Sequence, residues 1–208
     1  MTAAKFPAPL GAVLFDLDGT LADTAPDLAA AANKVRTDRG LDPLTYEALR
    51  PVASHGARGL LGVAFGIGPE DAEFESLRLA FLANYEAEIC VRTTLFPGMA
   101  DVLAELGRVG IPWGIVTNKS GRLTVPLVAQ LTFPVPPACV VAGDTTPHAK
   151  PHPAPHSRSP FASVVLPYVV VTQDPQPARV RRPNATWRPN LVDPSTLPSN
   201  DSWSLIAP

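Results

Sequence analysis

Cysteine, net charge and long apolar runs are all scarce in this chain. Cys90 and Cys139 are the only cysteines in 208 residues and have no framework spacing, which argues against a disulfide scaffold. A reducing cytoplasm is the expected home. The formal charge is −2 with no basic block, so nothing offers the electrostatic footprint of a nucleic-acid partner. No apolar run approaches the roughly 20 residues that span a bilayer, so no membrane partner is expected. Near the start, Lys5 and a few apolar residues are interrupted by Pro7 and Pro9, which does not make a signal peptide. The length suits one α/β core and a small accessory domain.

What is present concentrates in one string. The apolar run Ala12-Val13-Leu14-Phe15 reads as a buried strand, and it leads straight into Asp16-Leu17-Asp18-Gly19-Thr20-Leu21. Two carboxylates at the end of a buried strand need compensation by a metal, a donor or a bound substrate. Strand ends are also where open α/β sheets place their ligands. A carboxylate can attack phosphorus and split one difficult displacement into two easier ones. An anionic nucleophile approaching an anionic phosphate calls for Mg²⁺, and Gly19 permits the tight turn between the acids. An acidic turn of no function would not need the whole string.

From about Asp23 to Leu95 the chain reads as helical. Asp23-Thr24 offers a cap, Pro26 sits in the first turn, and an alanine-rich stretch runs from Leu28 to Val35. Phe74, Leu77, Phe81, Tyr85 and Ile89 recur every three or four residues, an apolar stripe that reads as core. Ser54-His55-Gly56-Ala57-Arg58-Gly59 forms a polar break, in which Arg58 could reach an anionic group or simply face solvent. The α/β pattern resumes with a helix from Ala100 to Arg108, a strand from Pro112 to Thr117, and a strand from Ala138 to Ala142. Alternating strands and helices imply a mostly parallel, Rossmann-like sheet.

Thr117 and Asn118 follow the second strand, where hydroxyl and amide can donate to phosphate oxygens. Lys150, in Lys150-Pro151-His152-Pro153, offers a compact ammonium for charge neutralisation. Asp144 lies in the loop before it and either orients that lysine or meets solvent. His148, His152 and His156 have helical spacing, but the prolines between them rule out the helix that a metal trio would need.

The string from Phe15 to Leu21, with Thr117 and Lys150, closely resembles the signatures of the haloacid dehalogenase superfamily of phosphatases. The likeness runs from about Val13 to Pro155 and is strongest to phosphoglycolate-phosphatase-like enzymes. Bacterial N-acetylmuramic acid 6-phosphate phosphatases form a close relative group. The resemblance implies an α/β core, residues 1–22 and 96–155, with an inserted all-helical cap, residues 23–95, that selects the substrate. It assigns Asp16 as nucleophile and Asp18 as general acid, then base. It also places Thr117, Asn118 and Arg58 at the substrate, Lys150 in catalysis, and Asp16 and Asp18 at Mg²⁺. A small phosphorylated metabolite and a monomer or homodimer complete the expectation. A dehalogenase is disfavoured, because displacing halide does not need the acid that Asp18 supplies.

Residues 156–208 depart from the pattern. They contain no Lys, no Glu, five Arg and nine Pro. Pro160 and Pro167 forbid the helix the family has there, although Pro167 to Asp174 still reads as a strand. Asp174 stands near the place of the family's further metal-binding acids, without the preceding Gly or the second carboxylate. Two explanations stay open: a divergent native tail, or an out-of-frame reading of a GC-rich gene. Either one implies lower stability and weaker Mg²⁺ binding than in an intact relative.

Overall fold

Four consecutive buried residues, Ala12–Phe15, form the strand β1 that organises the sheet. In the computed structural model, the described residues are 10–150, His152, Pro155 and three later strands. The elements after β1 are β2 (Ala22–Asp23), α1 (Ala25–Asp38), α2 (Tyr46–Leu49), a 3-10 turn (Arg50–His55), α3 (Gly56–Phe65), α4 (Phe74–Ala87) and β3 (Thr94–Leu95). Next come α5 (Met99–Arg108), β4 (Trp113–Val116), α6 (Gly121–Gln130) and β5 (Cys139–Val141). The last are β6 (Tyr168–Thr172), β7 (Val180–Arg181) and β8 (Ser204–Ile206).

The chain divides into two compact units. One comprises Met1–Leu21, Phe96–Thr124 and Thr132–Pro208; the other comprises Ala22–Leu95 and Val125–Leu131.

The first unit is built on a sheet ordered β5-β4-β1-β6-β7, with β8 also paired to β6. Strands β5, β4, β1 and β6 run parallel, while β7 and β8 pair antiparallel to β6. Parallel strands are covered on both faces, and that explains why β1 and β4 are unbroken apolar runs. Ala12, Leu14, Val116 and Val141 form one buried cluster. Phe15 meets Trp113 edge-on, with ring centroids 5.9 Å apart, and Trp113 also touches Phe133. The fold is therefore α/β with a mostly parallel sheet, as the sequence implies.

The tail supplies three strands to this sheet. β6 coincides with the strand read from Pro167 to Asp174, whereas β7 and β8 carry no strand signal that sequence reading recognised. Asp174 lies outside the described residues.

In the second unit, α1 starts behind Thr24 with Pro26 in its first turn, and it buries Leu28, Ala29, Ala31, Ala32 and Val35. The stripe Phe74, Leu77, Phe81, Tyr85 is the buried face of α4, and Phe81 stacks on Tyr85. Ile89 is buried just beyond that helix. Each fully buried apolar side chain of this kind contributes about 1.5–3 kcal/mol. The polar break proves to be the 3-10 turn running directly into α3, with Gly56 at φ +59° between them. Arg58 is consequently exposed in the first turn of α3, not in a loop. No helix among the described residues is long and apolar enough to cross a membrane.

One buried acid holds the ends of this unit together. Asp27 accepts the Arg92 N–H at 3.0 Å, the Thr93 N–H at 2.8 Å and the Thr93 hydroxyl at 2.7 Å. These bonds tie the start of α1 to the approach of β3. Asp27→Ala strands those donors in the interior and is expected to cost about 3 kcal/mol. A urea-unfolding midpoint within error of the parent would show that Asp27 is not a structural tie.

Candidate active site

The site forms where β1 and β4 end side by side. Past Phe15 the chain turns on itself: the Leu21 N–H reaches the Asp16 carbonyl at 3.2 Å and the Leu17 carbonyl at 3.1 Å. Gly19 adopts φ +74°, a conformation that a side chain would strain, and this lets Asp16 and Asp18 share one tight turn.

Each carboxylate meets a lysine. Lys150 Nζ lies 2.7 Å from Asp16 Oδ1 and also donates to the Val116 carbonyl at 2.9 Å. Lys119 Nζ lies 2.8 Å from Asp18 Oδ1. The four side chains are largely buried, Lys119 most of all at 7% exposed. Ion pairs screened from water in this way act at a lower effective dielectric than surface pairs.

Burial pushes the Asp16 carboxyl above the usual aspartate range. The Lys150 ammonium and the Leu17 N–H pull it back, and neighbouring Asp18 adds to the rise. Both donors to Asp16 fall on Oδ1. Among the described residues, Oδ2 accepts no hydrogen bond. Hard carboxylate oxygens at this spacing fit Mg²⁺, which commonly takes one or two protein carboxylates and fills its shell with water and substrate oxygens. No group of three metal-ligating side chains occurs among the described residues.

Thr117 is 2% exposed, and its Oγ1 accepts the Lys119 N–H at 3.1 Å, which leaves the hydroxyl proton to donate. Asn118 uses its amide differently from the phosphate contact read from sequence. Its Nδ2 donates to the Lys150 carbonyl at 3.1 Å, and its Oδ1 accepts the Lys150 N–H at 2.8 Å. That two-way clasp fixes the backbone from which the Lys150 ammonium projects. Asp144 meets solvent, one of the two readings made of it, and does not orient Lys150; its Oδ1 also accepts the Gly121 N–H at 2.8 Å, at the start of α6. The His148 and His152 rings meet at a tilt of 36°, with centroids 4.2 Å apart. Arg58 belongs to the second unit and Asp174 is not described, so neither adds to this geometry. Lys119 is the residue that sequence reading missed, because a lysine after a strand-end Thr-Asn carries no signal of burial.

Two acids of one turn, each paired with a largely buried lysine, and a strand-end threonine thus meet where β1 and β4 end. The chain belongs to the haloacid dehalogenase-like hydrolase family, whose sequence profile matches residues 13–159. It is 42% identical over 146 residues to the N-acetylmuramic acid 6-phosphate phosphatase of Pseudomonas putida, covering 70% of this chain and 66% of that protein. It is 44% identical over 144 residues to the phosphoglycolate phosphatase of Xanthomonas campestris pv. campestris, covering 69% and 65%. The match thus spans just under two thirds of the length of these relatives. The crystal structure of a predicted phosphoglycolate phosphatase from Haemophilus somnus 129PT superposes with a TM-score of 0.59 at 27% identity, covering 71% of this chain and 68% of that one.

The raised Asp16 carboxyl has a consequence for stability. A folded state that favours the protonated acid keeps this contribution fully below the ordinary aspartate range. The contribution is lost as pH rises through the raised value. Without metal, Asp16→Asn is therefore expected to melt at a higher temperature than the parent at neutral pH, the gap closing on acidification. A variant that melts lower at neutral pH would mean that the Lys150 pair outweighs the burial of the charge.

Proposed function

We propose that this chain hydrolyses a small phosphomonoester, 2-phosphoglycolate by preference, through a covalent phosphoryl group on Asp16. The observation that carries the reading is the pairing of each carboxylate in the β1 turn with a buried lysine. In the first step an Asp16 oxygen forms a bond to phosphorus while the bond to the ester oxygen breaks. Asp18 gives its proton to the departing alkoxide. In the second step Asp18 takes a proton from water, the water oxygen attacks phosphorus, and phosphate leaves with Asp16 restored. The Lys150 ammonium balances charge beside Asp16, and the Thr117 hydroxyl donates to a phosphate oxygen. Asp16 and Asp18, with Asp174 as a weaker candidate, would hold Mg²⁺. When bound, it neutralises the charge of the phosphate.

Protein relatives divide between two substrates, and the 42% identity to the P. putida protein favours N-acetylmuramic acid 6-phosphate as the second reading. The reading from another class is a chain that binds phosphate ligands without turnover, since the family's further acids are not recognisable after Lys150. The setting in every case is a cytoplasmic monomer or homodimer with a metabolite as partner. Comparing kcat/KM for the two phosphate esters in Mg²⁺ distinguishes these three outcomes.

Asp16→Asn keeps the shape of the carboxylate without its nucleophilicity. Turnover is expected to fall below about 1% of the parent, with no phosphoryl group retained on acid quench. Residual turnover above that level would remove Asp16 from covalent catalysis. Arg58, exposed on α3, is proposed to read the substrate's remote anionic group. Arg58→Ala should raise KM for phosphoglycolate several-fold more than for p-nitrophenyl phosphate, which lacks such a group. Equal effects on both esters would take Arg58 out of substrate selection.

A further inference from the structure

The end of β4 holds Lys150 at both of its extremities. The Val116 carbonyl, last in that strand, accepts from the Lys150 ammonium at 2.9 Å, and the same ammonium lies 2.7 Å from Asp16 Oδ1. Two residues past Val116, the Asn118 side chain takes the backbone. Its Nδ2 donates to the Lys150 carbonyl at 3.1 Å, while its Oδ1 accepts the Lys150 N–H at 2.8 Å. A primary amide offers one donor end and one acceptor end, and here both are engaged by a single residue. Asn118 is itself braced from behind. A Cβ on Gly143 would run into the Asn118 carbonyl, and the Gly143 N–H reaches the Lys119 carbonyl at 2.8 Å.

We propose that Asn118 is a positioning residue whose effect on turnover passes entirely through Lys150. The inference rests on the reading of Lys150 as the charge-balancing group beside Asp16. An ammonium is a compact charge on a long, flexible stem, so its value to a reacting centre depends on where that stem begins. Lys150 stands 32 residues from Asn118 along the chain, and the clasp is what ties its backbone to the strand that also receives its tip. Without the clasp the origin of the stem drifts while the tip keeps its partners only part of the time. Misplacing a reacting group by about 1 Å can cost on the order of a hundredfold in rate. Supporting contacts of this kind hold a site to its productive geometry. The Asn118 side chain thus serves the phosphate without touching it.

A double-mutant cycle in the full chain tests this, read with p-nitrophenyl phosphate in Mg²⁺. Asn118→Ala should lower kcat about tenfold with KM hardly moved, and should cost nothing further once Lys150→Met is in place. Losses that simply multiply would mean that Asn118 meets the substrate or supports the fold by another route, and they overturn the proposal. A second readout needs no turnover: acetylation by acetic anhydride, located by mass spectrometry. Lys150 should be acetylated several-fold faster in Asn118→Ala than in the parent, while Lys34, more than half exposed on α1, keeps its rate. Equal acetylation of Lys150 in both proteins overturns the proposal whatever the kinetics. Faster acetylation of Lys150 in a chain that turns over no ester supports the clasp and removes the hydrolase reading. Should the alanine variant fail to fold, Asn118→Ser, too short to span both backbone groups, is read in the same way.

Discussion

Two carboxylates held in one turn at the end of a buried strand set the terms for everything around them. Taking an anion out of water costs several kcal/mol even after relaxation, and a second anion two residues away adds repulsion. Lys150 and Lys119 answer that cost from two different loops. Loop geometry follows from the need to deliver those ammoniums. The Val116 carbonyl and the Asn118 amide hold Lys150 by its head and its backbone, and Gly143 lets the neighbouring loop close on Lys119. Packing alone rarely keeps four charged side chains together in this way. Sites that handle a charged ligand do.

Asp27 shows the opposite solution within the same chain. It is also buried, but it is held mainly by two backbone N–H groups and a hydroxyl drawn from one short stretch, with the exposed Arg92 guanidinium further off at 3.7 Å. Fixed dipoles of this kind have nowhere to go, so the acid is locked into a structural task. An ammonium on a long stem can swing aside when a stronger cation or a phosphate arrives. Asp16 and Asp18 differ from Asp27 both in their ammonium partners and in their exposure, 22% and 23% against 2%.

The sequence made some of these elements plain and hid others. β1 and β4 were legible because parallel strands buried on both faces leave unbroken apolar runs, β5 because its residues are apolar although Val140 is exposed, and α4 because its aromatic stripe has a helical period. Two residues each are too few for β2 and β3 to show any period. α6 contains Pro126 in its interior, a residue that argues against a helix locally, yet the helix forms around it. Asp16, Asp18, Thr117 and Lys150 stood out because their spacing from strand ends is readable along the chain. The amide clasp of Asn118 and the burial of Lys119 depend on which loops face each other, and that is decided only when the sheet assembles. The bond of Asp144 to Gly121 was hidden for the same reason, since the α6 terminus it meets begins more than twenty residues earlier in the chain.

The place of β1 in the sheet also governs the order in which the molecule can be completed. One flank of this strand pairs with β4, made shortly after it, but the other waits for β6, with Ala12 opposite Tyr168. During synthesis at about 5–20 residues per second, β1 therefore keeps an open flank for on the order of ten seconds. An unpaired apolar strand is a template for wrong partners. Nascent chains of this protein consequently pass through an interval in which the Asp16 turn already exists on a half-built sheet.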